Sequence, residues 1–184
     1  ASYWRESALN TPSQDGMLTH TFQQAIPADA KGSYSVAVGG YRLITLQPGT
    51  TSEVEVRDAG FNKILPFAVT DSSPVARRSV ITTENCNSCH GTLAEHGSQR
   101  LNVEYCQFCH NANATDAEER PADQLPGASI HFKTMIHKIH TGEDLLTDFT
   151  VYPDNFNHVK FPGDRRNCLK CHLEDTQQLP APKG

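Results

Sequence analysis

The first part of the chain has the hydrophobic pattern of short β-strands. Apolar and small or polar residues alternate over residues 34–38 and again over residues 53–57, as expected of strands with one buried face. Gly39-Gly40 predicts a tight turn, so residues 34–38 and 41–47 are expected to pair as a hairpin. Further strands are predicted over residues 17–22, 63–70 and 77–82. Short strands between glycine and proline turns favour a small N-terminal all-β domain, either a sandwich or an open barrel.

This alternation fades after residue 85, where loops and short helices are expected instead. The clearest helix is predicted over residues 131–140, and Gly142 is expected to end it. At about 100° per residue, His137 and His140 project from neighbouring positions, whereas His131 lies on roughly the opposite side. The apolar stripe of this helix consists of Phe132, Met135, Ile136 and Ile139.

Composition separates the same two parts. All six cysteines and eight of the nine histidines lie after residue 85. This break predicts a β domain over residues 1–84 and an irregular, mostly loop and short-helix domain over residues 85–184. The net charge of −5 argues against a nucleic-acid partner, and no apolar run reaches the roughly 18 residues of a transmembrane segment.

Three CxxCH motifs use every cysteine in the chain. CxxCH is the sequence of covalent haem c attachment: the two thiols form thioethers with the vinyl groups, and the histidine binds iron from one face. We therefore predict three covalently bound haems c. Their tethers would be Cys86, Cys89, Cys106, Cys109, Cys168 and Cys171, and their proximal iron ligands His90, His110 and His172.

Zinc and disulfides are the alternatives for six cysteines. Two CxxC pairs would complete one four-thiolate zinc site, and the third pair would then have no role. Neither zinc nor disulfides account for a histidine after every second cysteine. A thioredoxin-like site needs a single motif in an α/β pattern, which this chain does not have.

Six further histidines are available for the second axial position, and this surplus predicts bis-His haems of low potential. His137 and His140 are the strongest candidates, since one side of a helix would present both to two neighbouring haems. If the helix of the first motif continues, His96 lies about 240° from His90 and must serve another iron. His158 is the reserve candidate for a second axial ligand.

The residues around and between the motifs follow a distinctive order. It runs through Asn85–Leu93, His96-Gly97, Arg100, Cys106…Cys109-His110, Ile130–His140, Gly142, Phe161-Pro162 and Asn167–His172. This order resembles that of the outer-membrane multihaem cytochromes of the OmcA/MtrC type. The segment at Arg77-Arg78 resembles the junction between a β domain and a multihaem domain in that family.

The resemblance implies an exported electron conduit at the outer-membrane surface or outside the cell, with the periplasm as the alternative. Its redox partners would be other cytochromes, metal oxides, metal chelates or flavins. It also implies that His96, His137 and His140 are the distal ligands. Family domains typically hold five haems and members are longer, so this chain is expected to be a fragment or a shortened member.

We therefore predict a multihaem c-type cytochrome that transfers electrons along closely spaced bis-His haems in extracellular respiration of metals or other acceptors. No residue is expected to be catalytic in the acid–base sense, and terminal metal reduction is left open. The alternatives are a haem-containing oxyanion reductase subunit, which needs an open iron position, and a docking or assembly role.

Overall fold

The computed structural model describes residues 3–8 and 13–178. Its helices are α1 (Thr83–His90), α2 (Glu95–Ser98), α3 (Val103–Cys109) and α4 (Phe132–Thr141). Its strands are β1 (Ser13–Gln14), β2 (Met17–Leu18), β3 (Ser33–Val38), β4 (Tyr41–Leu46), β5 (Val54–Ala59), β6 (Lys63–Ala68), β7 (Thr150–Val151) and β8 (Asp154–Asn155). Short 3₁₀ turns cover Ala122–Gln124, Gly142–Asp144 and Cys168–Lys170.

Strands β3 to β6 form one long antiparallel ribbon. β4 pairs with β5 and β3 pairs with β6, so one hairpin is nested inside the other. The Gly60 N–H donates to the Gly40 carbonyl at 3.2 Å and links the two ladders. The ribbon reverses after β4, where the Thr50 N–H donates to the Gln47 carbonyl at 3.3 Å.

The predicted hairpin between residues 34–38 and 41–47 is wrong. Gly39-Gly40 carries the chain onward from β3 into β4 and does not turn it back. Pairing across the ribbon decides the register, because Tyr34 stacks on Phe67 with 6.1 Å between ring centroids. Cross-strand aromatic contacts of this kind stabilise a sheet, and a local Gly-Gly signal does not reveal them.

Two other predicted strands are shorter than expected. Residues 77–82 form only an isolated bridge between Ile81 and His172, and residues 17–22 contribute only β2. The β-rich character of the first part is confirmed. However, every sheet among the described residues has two strands, so those residues form neither a sandwich nor an open barrel.

Two of the three buried apolar side chains among the described residues lie where the ribbon meets the helical part. Leu101 and Val103 are buried there, and the side chain of Asn62 is almost wholly buried beside them. Asn62 accepts a hydrogen bond from the Leu101 N–H at 2.8 Å and donates to the Gln99 carbonyl at 3.1 Å. Because buried polar groups must be paired, these bonds fix the ribbon against the segment between α2 and α3.

The helices after residue 82 begin and end at recognisable signals. The Thr82 hydroxyl accepts a hydrogen bond from the Asn85 N–H at 3.2 Å and caps α1. The predicted helix over residues 131–140 is confirmed as α4, and Gly142 ends it with φ = 49°. None of the helices in residues 3–8 and 13–178 is long and apolar enough to cross a membrane.

A buried ion pair holds the long loop between α3 and α4. The Asp116 carboxylate accepts hydrogen bonds from Arg120 Nε at 2.8 Å and from the N–H groups of Ala128 (2.7 Å) and Tyr152 (2.8 Å). Burial acts to raise the pKa of Asp116, but the Arg120 guanidinium and the two N–H groups outweigh it, so the net pKa is lowered. Asp116 thus ties this loop to the strand pair β7–β8.

We expect Asp116→Asn to destabilise the holoprotein by about 3 kcal/mol at neutral pH, because it leaves the buried Arg120 charge unpaired. The lowered pKa contributes stability above about pH 4, which is lost as pH falls through the folded-state pKa. The variant should therefore lose less stability on acidification than the parent. Urea unfolding at several pH values measures both effects.

The matched control is Asp164→Asn, which breaks the exposed ion pair with Arg166. Exposed pairs contribute about 1 kcal/mol or less, so this variant should unfold almost like the parent. Equal losses in the two variants would contradict the role given to Asp116.

Candidate haem sites

Each CxxCH motif lies in a single helical turn. Cys86 and Cys89 lie in α1, Cys106 and Cys109 in α3, and Cys168 opens the 3₁₀ turn of the third motif. Helical spacing places cysteines three residues apart on one side of the turn, as two bonds to one porphyrin edge require. None of the six cysteines forms a disulfide with another.

Burial raises the pKa values of three thiols, one in each motif. Burial raises the pKa of Cys106 to about 11 and also raises the pKa values of Cys86 and Cys171. Reactive redox cysteines have lowered pKa values, so these thiols do not resemble a thioredoxin-type centre. Among the described residues, no three cysteine, histidine or acidic side chains gather as a zinc site would need.

The histidine of each motif lies against one further histidine. His90 faces His140, with 6.0 Å between ring centroids and 86° between ring planes. The other two pairs have nearly equal geometry: 5.9 Å and 30° for His96 with His110, and 5.9 Å and 32° for His137 with His172. Every histidine predicted as an iron ligand thus belongs to one of three pairs.

These spacings fit an iron between two imidazoles. A ring nitrogen lies about 1.1 Å from its centroid and binds a metal at about 2 Å, so two axial rings have centroids about 6 Å apart. A cavity of about 380 Å³ opens beside His90 and His140, lined in part by Ile139 and Phe161. An apolar lining next to a facing pair of imidazoles suits a porphyrin.

Hydrogen bonds orient three of the six rings. Nδ1 of His137 lies 2.7 Å from the Lys133 carbonyl, and Nδ1 of His140 lies 2.9 Å from the Ile136 carbonyl, each one turn back along α4. Nδ1 of His110 lies 2.8 Å from the Ile130 carbonyl. A carbonyl accepts only from a protonated Nδ1, so these bonds leave Nε2 with its lone pair free for iron.

Two of the motif histidines are favoured in the neutral form. Burial is the main cause of the lowered pKa of His110 and of His172, and a neighbouring histidine lowers each pKa further. Iron binds the neutral imidazole, so burial prepares both rings for ligation. His172 differs from His110 in one respect: its Nδ1 is buried and has no hydrogen-bond partner among the described residues.

His96 reaches its partner through a left-handed turn and not through a continued helix. α1 ends at His90, and His96, Gly97 and Ser98 have φ values of 53°, 71° and 63°. A left-handed histidine is unusual and often marks a functional position. The Arg57 guanidinium donates to the Gly97 carbonyl at 3.1 Å, which holds this turn against β5.

The first and third motifs are neighbours although 77 residues separate Cys89 from the Asn167 that precedes the third motif. The Asn85 amide donates to the Cys171 carbonyl at 3.0 Å, and the Leu173 N–H donates to the Val80 carbonyl at 2.9 Å. Their partners His140 and His137 lie three residues apart on α4. One helix and one short bridge therefore hold two of the three histidine pairs together.

The remaining histidines lie outside the three pairs. His158, the reserve candidate, is exposed, and His131 is the half-buried residue that precedes α4. His20 lies 3.1 Å from the Glu6 carboxylate. Sequence reasoning missed the carbonyl acceptors of the ligand rings. The acceptors of His137 and His140 could have been predicted, because each lies four residues earlier on the same helix. The Ile130 carbonyl, which accepts from His110, has no comparable sequence signal.

The family described as "Outer membrane cytochrome MtrC/MtrF-like, domains II/IV" matches residues 78–183, more than half of the chain. The chain belongs to this family. This MtrC/MtrF-like chain is also 25% identical over 162 residues to the "Multiheme cytochrome MtrC" of Shewanella baltica (strain OS185). That alignment covers 86% of this chain and 20% of the relative. No solved structure matches the chain.

Membership of this family identifies the type of cofactor. The match spans all three CxxCH motifs, so the MtrC/MtrF-like chain carries covalently bound haem c. The described residues fit that group, because each motif combines two cysteines outside any disulfide with a histidine that lies against a second imidazole. The chain spans about a fifth of the length of the curated relative that it matches.

We expect Gly142→Ala to weaken the site of His140. A Cβ at Gly142 would overlap the Val159 carbonyl, and the positive φ of 49° is itself unfavourable for alanine. The α4 C-terminus would have to shift, with a loss of several kcal/mol of unfolding free energy and a change in the haem absorption spectrum. Denaturant unfolding and absorption spectra measure the two effects.

Gly91→Ala supplies the control. Gly91 has a comparable φ of 68°, but no atom lies within 4 Å of its added Cβ. It should therefore lose only the cost of backbone strain, about 1–3 kcal/mol, and less than Gly142→Ala. If both variants lose the same amount, the close approach of Val159 is not what holds the end of α4.

Proposed function

We propose that this chain binds three haems c, each with two axial histidines, and passes electrons between them. The ligand pairs are His90 with His140, His110 with His96, and His172 with His137. The observation that supports this most strongly is the common 5.9–6.0 Å spacing of the three pairs, each containing one CxxCH histidine. Six of the nine histidines are accounted for in this way.

The chain's own side chains have separate roles in this proposal. The cysteines tether each haem, and the imidazoles hold iron in the low-spin state on both faces. Carbonyl acceptors at Lys133, Ile136 and Ile130 fix the ring tautomers. The haem supplies the one-electron chemistry, and the polypeptide sets its potential and its distance from the next haem.

Electron transfer is favoured over oxyanion reduction. A reductase needs one iron with an open position for its substrate. Each of the three motif histidines instead faces a second imidazole, which would close both axial positions. Nothing in the arrangement favours the reductase alternative.

The family supports a proposal for the location and the redox partners. We infer that the parent protein acts at the outer-membrane surface in extracellular respiration, with other cytochromes, metal oxides, metal chelates or flavins as its redox partners. The match to an outer-membrane cytochrome family supports this inference. A division into residues 1–84 and 85–184 belongs to the same proposal, supported by the confinement of the cysteines to the second part.

Electron paramagnetic resonance of the oxidised protein tests the ligation. Nearly perpendicular axial rings give a low-spin signal with a larger maximum g value than nearly parallel rings. The 86° pair should therefore give one strongly anisotropic signal, and the 30° and 32° pairs should give two rhombic signals. His140→Ala should abolish the first, and His96→Ala and His137→Ala should each abolish one of the others.

In each alanine variant the affected haem should become high-spin, because water is a weaker-field ligand than imidazole. His158→Ala is the matched control, since this exposed histidine lies outside the three pairs. It should leave all three low-spin signals intact. A high-spin haem in His158→Ala, or none in His140→Ala, would refute the proposed pairs.

A further inference from the structure

The three histidine pairs differ in how their Nδ1 atoms are satisfied. In each pair one ring bonds to a backbone carbonyl: His140 to Ile136, His110 to Ile130 and His137 to Lys133. The partner rings His90 and His96 are exposed, so water can reach them. His172 alone combines a buried Nδ1 with the lack of any acceptor in the described part of the chain.

An acceptor at Nδ1 changes what the imidazole does to iron. A bonded N–H gives the ring partial negative character and makes Nε2 a stronger donor, which stabilises the oxidised metal. Without that bond the ring donates less electron density, so the reduced iron is relatively favoured. Hydrogen bonding around the ligands is one of the few means by which a protein sets a haem potential.

A positive charge between the cysteines also favours a higher reduction potential at this site. The third motif alone carries a charged residue between its cysteines, Lys170, where the first two motifs have only uncharged residues. Lys170 forms no ion pair within residues 3–8 and 13–178. The acidic residues Glu174 and Asp175 follow His172, so the positive charge lies between the cysteines and the negative charges lie beyond the ligand. By contrast, Glu95 directly precedes His96, and Glu104 lies two residues before Cys106. Positive charge favours the reduced haem, and negative charge favours the oxidised one.

We propose that the haem held by His137 and His172 has the highest reduction potential of the three and collects electrons from the other two. This inference rests on the proposed ligand pairs. In the step, one electron leaves a ferrous haem, which becomes ferric, and reduces the ferric haem at His172 to ferrous. The bridge from Asn85 to Cys171 makes the first haem the direct neighbour of this acceptor.

A potentiometric titration followed by electron paramagnetic resonance tests the order. As the potential is lowered, the first low-spin signal to disappear should be rhombic and should belong to the His137–His172 haem. That signal should be missing from the oxidised His137→Ala variant and present in His96→Ala. If the strongly anisotropic signal disappears first, or the first signal lost is the one missing in His96→Ala, the inference is wrong.

Lys170→Gln tests the contribution of charge. It should shift the midpoint of the first-reduced haem to lower potential and leave the other two midpoints nearly unchanged. Lys31→Gln, which removes one exposed positive charge before β3, should shift none of them. A first midpoint that does not respond to Lys170→Gln would overturn the assignment.

The same titration separates this inference from the proposed function. The spectrum of the fully oxidised protein, recorded before any reduction, reports whether three low-spin haems are present. Three low-spin signals that disappear in another order would contradict only the electron sink at His172. Fewer low-spin signals at the start would contradict the ligand pairs themselves.

Discussion

The distance between two imidazoles that share one iron is the constraint on which the proposed architecture depends. Because both metal–nitrogen bonds are short and fixed, the two rings must face each other at about 6 Å. In this chain the constraint is met by residues far apart in sequence, such as His90 with His140 and His137 with His172. Each facing pair therefore determines how one helix or turn lies relative to another.

Helix α4 contributes most to this arrangement. Its ten residues supply two of the three histidines that face a CxxCH histidine, namely His137 and His140. The backbone carbonyl four residues before each of them orients its ring. Among the described residues, the buried apolar side chains are few: Leu101 and Val103 at the junction, and Phe149. In the proposed holoprotein the porphyrins would provide the apolar surface on which α4 packs, so cofactor attachment and folding would be coupled.

The site was more predictable from sequence than the fold. The CxxCH spacing and the helical phase of residues 131–140 depend on contacts within one turn, and local sequence encodes such contacts. The pairing of β3 with β6 depends on contacts such as Tyr34 with Phe67, 33 positions apart, and alternation alone did not reveal it. Likewise, the left-handed turn at His96 depends on Arg57 from the ribbon, so extrapolating α1 could not reproduce it.

The mass of the intact, denatured holoprotein tests the central claim most directly. Thioether bonds survive denaturation, so covalently bound haem stays with the polypeptide. The account predicts one dominant species with the mass of the polypeptide plus three haems. A dominant species carrying two haems or fewer, or the bare polypeptide of 20.3 kDa, would contradict it.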